Sequence, residues 1–127
     1  MAKRNSEFEH THLLEILGEW LYGQDVTDIR ADTDGFNRPD KITIAGDEEG
    51  DTPDATAAGE KFLIYEVETP DSINDEHTER QWRLFATYAA ENNGIFYIVV
   101  HPMAMVDAKK RVKELSIEAT VTSISSI

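Results

Sequence analysis

Acidic residues at two points of the sequence could form a metal site. Asp40 stands directly before a segment of alternating hydrophobicity at 41–45, and Glu66 and Glu68 end a nearly continuous apolar run at 61–68. If these segments form a hairpin, Asp40 and Glu66 lie side by side at one end of the sheet. Glu68 then points to the same face as Glu66. Carboxylate oxygens arranged in this way suit Mg²⁺ or Mn²⁺.

The motifs Pro39-Asp40 and Glu66-Val67-Glu68, in this order, resemble those of the PD-(D/E)XK nuclease superfamily, including its archaeal Holliday-junction resolvase branch. The resemblance implies that Asp40 and Glu66 bind a divalent metal, helped by the backbone carbonyl of Val67. It further implies that metal-activated water hydrolyses a phosphodiester.

The same resemblance implies two accessory residues. Glu9 on the first helix stands where resolvase-like members often carry a further metal ligand. Gln81 begins Gln-Trp-Arg-Leu-Phe, which is similar to a Gln-x-x-x-Tyr motif of RecB-like members, with Phe in place of Tyr. The candidate catalytic set is therefore Asp40, Glu66, Glu68 and Gln81.

Glu68 departs from the family pattern, because the motif has a lysine at this position. That lysine stabilises the negative charge that develops on the phosphate, or positions the water, and a glutamate cannot stabilise such charge directly. In some members a basic residue from the following helix takes over, and Arg80 and Arg83 are the candidates here. A minority of active members carry glutamate at this position.

A second Pro-Asp pair, Pro53-Asp54, lies nearer to Glu66 in sequence than Pro39-Asp40 does. We favour Asp40, because alternating isoleucines follow it. Asp54 is followed by Ala-Thr-Ala-Ala-Gly, a weak strand sequence whose register would be poorly fixed. The choice between the two aspartates stays open at this stage.

The hydrophobic periodicity predicts the elements that would hold these residues. We expect helices over 8–21, 76–92 and 106–115, and strands over 26–32, 41–45, 61–68, 95–100 and 117–122. The order α-β-β-β-α-β-α-β predicts an α/β (α+β) fold with a mixed central sheet flanked by helices, in a single domain over 1–127. Residues 46–60, with three glycines and one proline, are expected to form a long mobile hairpin loop.

The composition limits the function further. The 127 residues carry a formal net charge of −13 and no cysteine, which excludes thiolate chemistry and cysteine-based zinc sites. The negative charge disfavours a protein that coats nucleic acid, although the basic residues at 109–113 leave a local basic face open. We expect a cytoplasmic protein without membrane association. The histidines, His10, His12, His77 and His101, lack zinc spacing and are interpreted as surface or partly buried residues.

Two functions remain open on the sequence. The first is a metal-dependent nuclease-like domain acting on nucleic acid, with DNA favoured as the substrate. The second is a catalytically inactive module of the same fold that engages a protein partner, which Glu68 and the charge of −13 favour. An active nuclease this acidic would need help to approach DNA, either from a homodimer that aligns two basic faces or from an associated subunit.

Overall fold

The computed structural model describes residues 2–125, with side chains from residue 7 onwards. The described residues form three α-helices, α1 (Ala2–Leu21), α2 (Glu76–Glu91) and α3 (Met105–Leu115), and seven strands: β1 (Thr27–Ala31), β2 (Ile42–Ile44), β3 (Asp47–Asp51), β4 (Ala55–Ala58), β5 (Phe62–Val67), β6 (Ile95–Val100) and β7 (Thr120–Ser123). A short 3₁₀ turn, Pro102–Ala104, precedes α3. No helix in this part of the chain has the length and hydrophobicity needed to cross a membrane.

Five strands form one mixed sheet in the order β1-β4-β5-β6-β7. The pairs β1/β4 and β4/β5 are antiparallel, whereas β5/β6 and β6/β7 are parallel. The central strands β5 and β6 are nearly continuous apolar runs, because both of their faces are covered. This mixed sheet, with helices on both faces, confirms the predicted fold class.

The helices divide the core into two layers. Leu14, Leu17 and Leu21 of α1 pack on one face of the sheet, against a layer that includes Tyr65 and Val99. α2 and α3 cover the opposite face, where Trp82, Phe85, Ala89 and Ala108 pack against Ile64, Phe96 and Ile98. Successive residues of β5 therefore alternate between the α1 layer and the α2 layer.

The prediction of a long mobile loop over 46–60 is wrong, because this segment forms β3 and β4. β4 lies inside the sheet, between β1 and β5. Its Ala55 and Ala57 are almost fully buried under α1, and their small side chains let the helix approach closely. The composition resembles that of a loop, but the hydrogen-bonding partners on both sides make the segment a strand.

The strands β2 and β3 form a separate antiparallel hairpin that packs on α2. Ile42 is buried in the core of the α2 layer. Arg80 of α2 fixes the hairpin from the other side: its guanidinium lies 3.0 Å from Asp47 and 3.6 Å from Asp51. These ion pairs hold the hairpin against α2.

Candidate functional site

Asp54 and Glu66 meet at one end of the antiparallel pair β4 and β5. Ala55 pairs with Tyr65, so Asp54, which precedes β4, lies beside Glu66. The Asp54 backbone N–H donates to Glu66 Oε1 at 2.8 Å, and the Val67 N–H donates to Asp54 Oδ2 at 2.8 Å. These two reciprocal hydrogen bonds fix both carboxyl groups relative to the strand ends.

Asp40 does not reach this place. It precedes β2, which pairs with β3 and not with the main sheet. The Asp40 side chain is 92% exposed, and its carboxylate lies 3.8 Å from Arg30 Nη1. Asp40 borders a pocket with Phe62, at the beginning of β5, whereas Glu66 lies near the end of that strand. The structure therefore brings Asp54, the alternative aspartate, to Glu66.

Glu68 is buried and both of its carboxylate oxygens accept hydrogen bonds. Ser72 Oγ donates to Oε1 at 2.7 Å, and Trp82 Nε1 donates to Oε2 at 2.8 Å. Its backbone N–H donates to the carbonyl of Val99 on β6. Glu68 thus joins the end of β5 to the following loop and to α2, and its side chain is fixed in place.

The first helix contributes His10, and not the predicted Glu9. His10 Nε2 lies 3.0 Å from Asp54 Oδ2, and the His10 side chain is 35% exposed. The cleft is lined from α1 by Glu7, His10 and Thr11, which does not include Glu9. The sequence contained a signal for His10, because His10 lies four residues before the buried Leu14 and therefore on the same face of the helix. Glu9 lies about 100° away around the helix.

Gln81 and Val67 both line the cleft. Gln81 Nε2 donates to Asp51 Oδ2 on β3 at 3.1 Å, so Gln81 joins α2 to the hairpin. The two arginines considered as replacements for the motif lysine do not line the cleft. Arg80 is engaged by the hairpin, and Arg83 bonds to Glu79 and to a backbone carbonyl of α3.

The cleft between α1 and α2 has a volume of about 410 Å³ and is strongly acidic. None of the described residues that line it is a lysine or an arginine, and two histidines provide its only ionisable nitrogen groups. Its carboxyl groups belong to six residues: Glu7, Asp54, Glu66, Glu68, Asp71 and Asp75.

This charge distribution shifts the pKa values of the site. Burial raises the pKa of Glu66 well above its ordinary value, and the nearby charges of Asp54 and Glu68 raise it further. Burial also raises the pKa of Glu68 to about 7, although Ser72 and Trp82 oppose the shift by donating to its carboxylate. The pKa of His10 is raised mainly by its hydrogen bond to Asp54. A proton, or another cation, is therefore favoured in this cleft near neutral pH.

The carboxylates can supply part of a metal coordination shell. Within the described part of the chain, no three His, Asp or Glu side chains are grouped so that they could hold a metal ion. The hydrogen bonds found among these residues use Asp54 Oδ2 and Glu66 Oε1, so Asp54 Oδ1 and Glu66 Oε2 are two available donors. Mg²⁺ is commonly bound by one or two carboxylates together with water and substrate phosphates. The donor set fits an ion that binds with a phosphate substrate.

The residues of the cleft thus combine two carboxylate donors and a buried glutamate at the ends of adjoining strands with a histidine of α1. This arrangement suits chemistry that needs a bound cation, and it does not suit direct binding of a bare anion. Comparisons with protein-family models, curated proteins and solved structures find no match to this chain.

Proposed function

We propose that this chain is a metal-dependent nuclease-like domain that hydrolyses nucleic-acid phosphodiesters, with Asp54 and Glu66 as its metal ligands. The observation that carries the proposal is the hydrogen bond between the Asp54 backbone and the Glu66 carboxylate, in a cleft lined by α1 and α2. The superfamily resemblance implies that the aspartate of a Pro-Asp pair lies beside the first acid of the (D/E)xK motif. Asp54 of Pro53-Asp54 lies beside Glu66 in this way, whereas Asp40 does not.

The chain's own residues would orient the two ligands. The Val67 N–H and His10 hold Asp54 Oδ2, and the Asp54 N–H holds Glu66 Oε1, so the second oxygen of each carboxylate has a fixed direction. A divalent metal, Mg²⁺ or Mn²⁺, would supply Lewis-acid help at the phosphate and a water of lowered pKa. Because Mg²⁺ is small and keeps several waters, two protein carboxylates are sufficient for it.

The acidic cleft makes activity strictly dependent on a divalent cation. A phosphodiester approaching six carboxyl groups without a compensating cation would be repelled, and no lysine or arginine lines the described cleft. We expect no cleavage in the presence of a chelator at any pH between 5 and 9. Cleavage that persists in chelator would contradict the assignment of the metal site.

The decisive experiment compares Asp54→Asn, Glu66→Gln and Asp40→Asn on single-stranded, double-stranded and branched DNA and on RNA, with Mg²⁺ and then Mn²⁺. We expect the first two variants to lose cleavage and Asp40→Asn to retain it, because Asp40 is exposed and lies at the other end of β5. Cleavage that persists in purified Asp54→Asn and Glu66→Gln would refute the proposal.

A titration of Mg²⁺ into ¹⁵N-labelled protein provides a readout that needs no substrate. We expect backbone amide shifts at Asp54, Glu66 and Val67, with weak affinity because two carboxylates hold the ion without a substrate phosphate. In Asp54→Asn these shifts should disappear, and in Asp40→Asn they should remain. Shifts that centre on Asp40 instead would assign the metal site to Pro39-Asp40 and contradict its assignment to Asp54.

One observation favours a second candidate function, a catalytically inactive module that binds a protein partner. Glu68 replaces the motif lysine, and both of its oxygens are occupied by Ser72 and Trp82. The acidic cleft would then receive a lysine-rich or arginine-rich segment of the partner. This reading predicts no cleavage of any nucleic acid by the wild-type protein, together with salt-sensitive binding of a basic peptide that Mg²⁺ weakens.

A further inference from the structure

The two edges of the five-stranded sheet are protected to different degrees. At the β1 edge, the Ala31 N–H donates outward to the carbonyl of Asn37 at 2.9 Å, and Arg30 forms a bridge with the same residue. The register of β1 is irregular between Thr27 and Arg30, and Asp28 has a φ of 48°. A covering segment, charged side chains and a distorted register are the usual means by which an edge strand avoids pairing.

Among the described residues, no covering segment and no irregular register is found at the β7 edge, and Thr120–Ser123 carries no charged side chain. Its register with β6 is regular from Thr120 to Ser123, and no other described strand pairs with its outer side. Residues 119–127 include no charged residue and no proline. Ile124 donates its N–H to Val100 of β6. Because alternate residues of a strand direct their backbone groups to opposite sides, Val121 and Ser123 direct theirs to the open side.

An uncharged pocket lies beside this open edge, on the face that α1 covers only in part. Helix α1 packs mainly on β1, β4 and β5. The pocket has a volume of about 210 Å³, and Trp20, at its α1 wall, is 49% exposed. Tyr65 and Tyr97 stack in it with ring centroids 5.0 Å apart. None of its lining residues is charged: Leu17, Trp20, Tyr65, Tyr97, Val99, Thr122, Ser123 and Ile124.

We propose that a second copy of this chain docks on this surface, with its β7 antiparallel to the first β7. Antiparallel pairing of one strand with itself is self-complementary around a two-fold axis, so it joins two sheets through the same residues of each copy. Two chains of charge −13 repel each other over most of their surfaces, and an uncharged edge and pocket allow close approach. A cationic partner would instead be attracted to the acidic cleft.

The paired strands alone would bury little surface, because β7 has four residues. A stable dimer buries about 800 Å² on each partner. Trp20 and Tyr97 lie close enough to the edge to add to the contact, since they line the same pocket as Thr122 and Ser123. The proposed interface therefore comprises the β7 edge and the pocket, and it does not depend on the proposed nuclease function.

The test compares Ser123→Pro with Ser123→Ala by light scattering and sedimentation, from micromolar to millimolar concentration. Proline removes the outward N–H of residue 123 and leaves the bonds to β6, whereas alanine keeps that N–H. We expect wild type and Ser123→Ala to have twice the monomer mass of 14.3 kDa, and Ser123→Pro to have the monomer mass. A wild-type monomer throughout, or a dimer that survives Ser123→Pro, would overturn the proposal.

A second measurement uses the wild-type protein, in case Ser123→Pro fails to fold. Amide hydrogen exchange is followed at Val121, Thr122 and Ser123 as the concentration rises. The Thr122 amide faces β6 and should be protected at every concentration. The Val121 and Ser123 amides should become protected only in the dimer. Fast exchange of both amides in a wild-type dimer would place the interface elsewhere and refute the β7 pairing.

Discussion

Glu68 makes the stability of this protein depend on pH in a defined direction. Its pKa is raised to about 7 in the folded protein, first by burial, against an ordinary value of 4.5. Well below pH 4.5 the residue is protonated in both the folded and the unfolded chain, so its burial costs no ionisation energy there. As pH rises from 4.5 to 7, the unfolded chain releases the proton while the folded chain retains it. The contribution of Glu68 to stability is therefore lost as pH rises through its folded pKa.

The size of this effect follows from the shift. Each pKa unit corresponds to about 1.4 kcal/mol, so a rise from 4.5 to about 7 lowers the free energy of unfolding by about 3 kcal/mol at pH 8 relative to pH 4.5. Glu66 adds to the fall in the same direction, because its pKa is also raised. His10 does so too, since a histidine with a raised pKa loses its stabilising charge as pH increases.

The substitution Glu68→Gln isolates the contribution of this one residue. Glutamine can still accept the Trp82 N–H through its carbonyl, and its amide can donate to Ser72 Oγ. We expect Glu68→Gln to be more stable than wild type at pH 8 by about 2 kcal/mol, after some loss of hydrogen-bond quality. At pH 5 the two proteins should differ little, because the wild-type glutamate is then protonated.

The assay is urea unfolding at pH 5 to 8.5 in the presence of a chelator, followed by tryptophan fluorescence. The matched control is Glu49→Gln, which removes one charge from an exposed position of β3. Its difference from wild type should stay constant across the pH range. If Glu68→Gln also parallels wild type over this range, or is less stable than wild type at pH 8, then Glu68 is not the titrating group and the reasoning fails.

Three further predictions concern residues around the site and the sheet. In the same urea assay, Ser72→Ala should lower the free energy of unfolding by about 2 kcal/mol at pH 8 and by less at pH 5, because ionised Glu68 loses a hydrogen-bond donor. An equal loss at both pH values would contradict this prediction. In thermal unfolding, Gly50→Ala should destabilise the protein by more than about 2 kcal/mol, because φ at Gly50 is +65° and a Cβ would collide with the backbone of Ile42. Its control is Gly35→Ala, which should cost only about 1 kcal/mol, because Gly35 has a φ of +89° but lies in open space. Tyr65, with a pKa raised to about 12 mainly by burial, should make stability fall above pH 10, and Tyr65→Phe should remove part of that fall.

The elements that could be predicted from the sequence are those whose own side chains determine them. Strand Phe62–Val67 and helix Glu76–Glu91 agree with the predicted 61–68 and 76–92, because their hydrophobic patterns are long and regular. Strand Ala55–Ala58 could not be predicted in this way. Its residues are small, and it is a strand because β1 and β5 satisfy its backbone on both sides and α1 buries it.

The site could be predicted from the sequence only in part. Glu66 and Glu68 followed from the strand that carries them, and the structure places both in the cleft. The choice of Asp40 over Asp54 depended on the quality of the strand after each aspartate. That criterion failed because the better strand, β2, pairs in a separate hairpin, and the weaker strand, β4, pairs with β5. Pairing between distant segments is not encoded in local propensity.

The position of Glu68 also bears on how this site differs from the motif it resembles. A lysine there would carry no acceptor for the Trp82 N–H or for the Ser72 hydroxyl, and Trp82 is fully buried. An unpaired buried donor costs about 1 to 3 kcal/mol. Glu68→Lys should therefore destabilise the protein at pH 8 by at least 2 kcal/mol, despite its attraction to Asp54 and Glu66, while Glu49→Lys on the surface should be nearly neutral.

Urea unfolding of these two variants tests whether the surroundings of residue 68 tolerate a lysine. If Glu68→Lys is as stable as wild type, the hydrogen bonds of Glu68 contribute little to the stability of the fold. If it is destabilised as expected, then Glu68, Ser72 and Trp82 form one hydrogen-bonded unit. A lysine at this position would then require changes at the two donors as well, because the Trp82 N–H and the Ser72 hydroxyl need a side chain at position 68 that accepts hydrogen bonds.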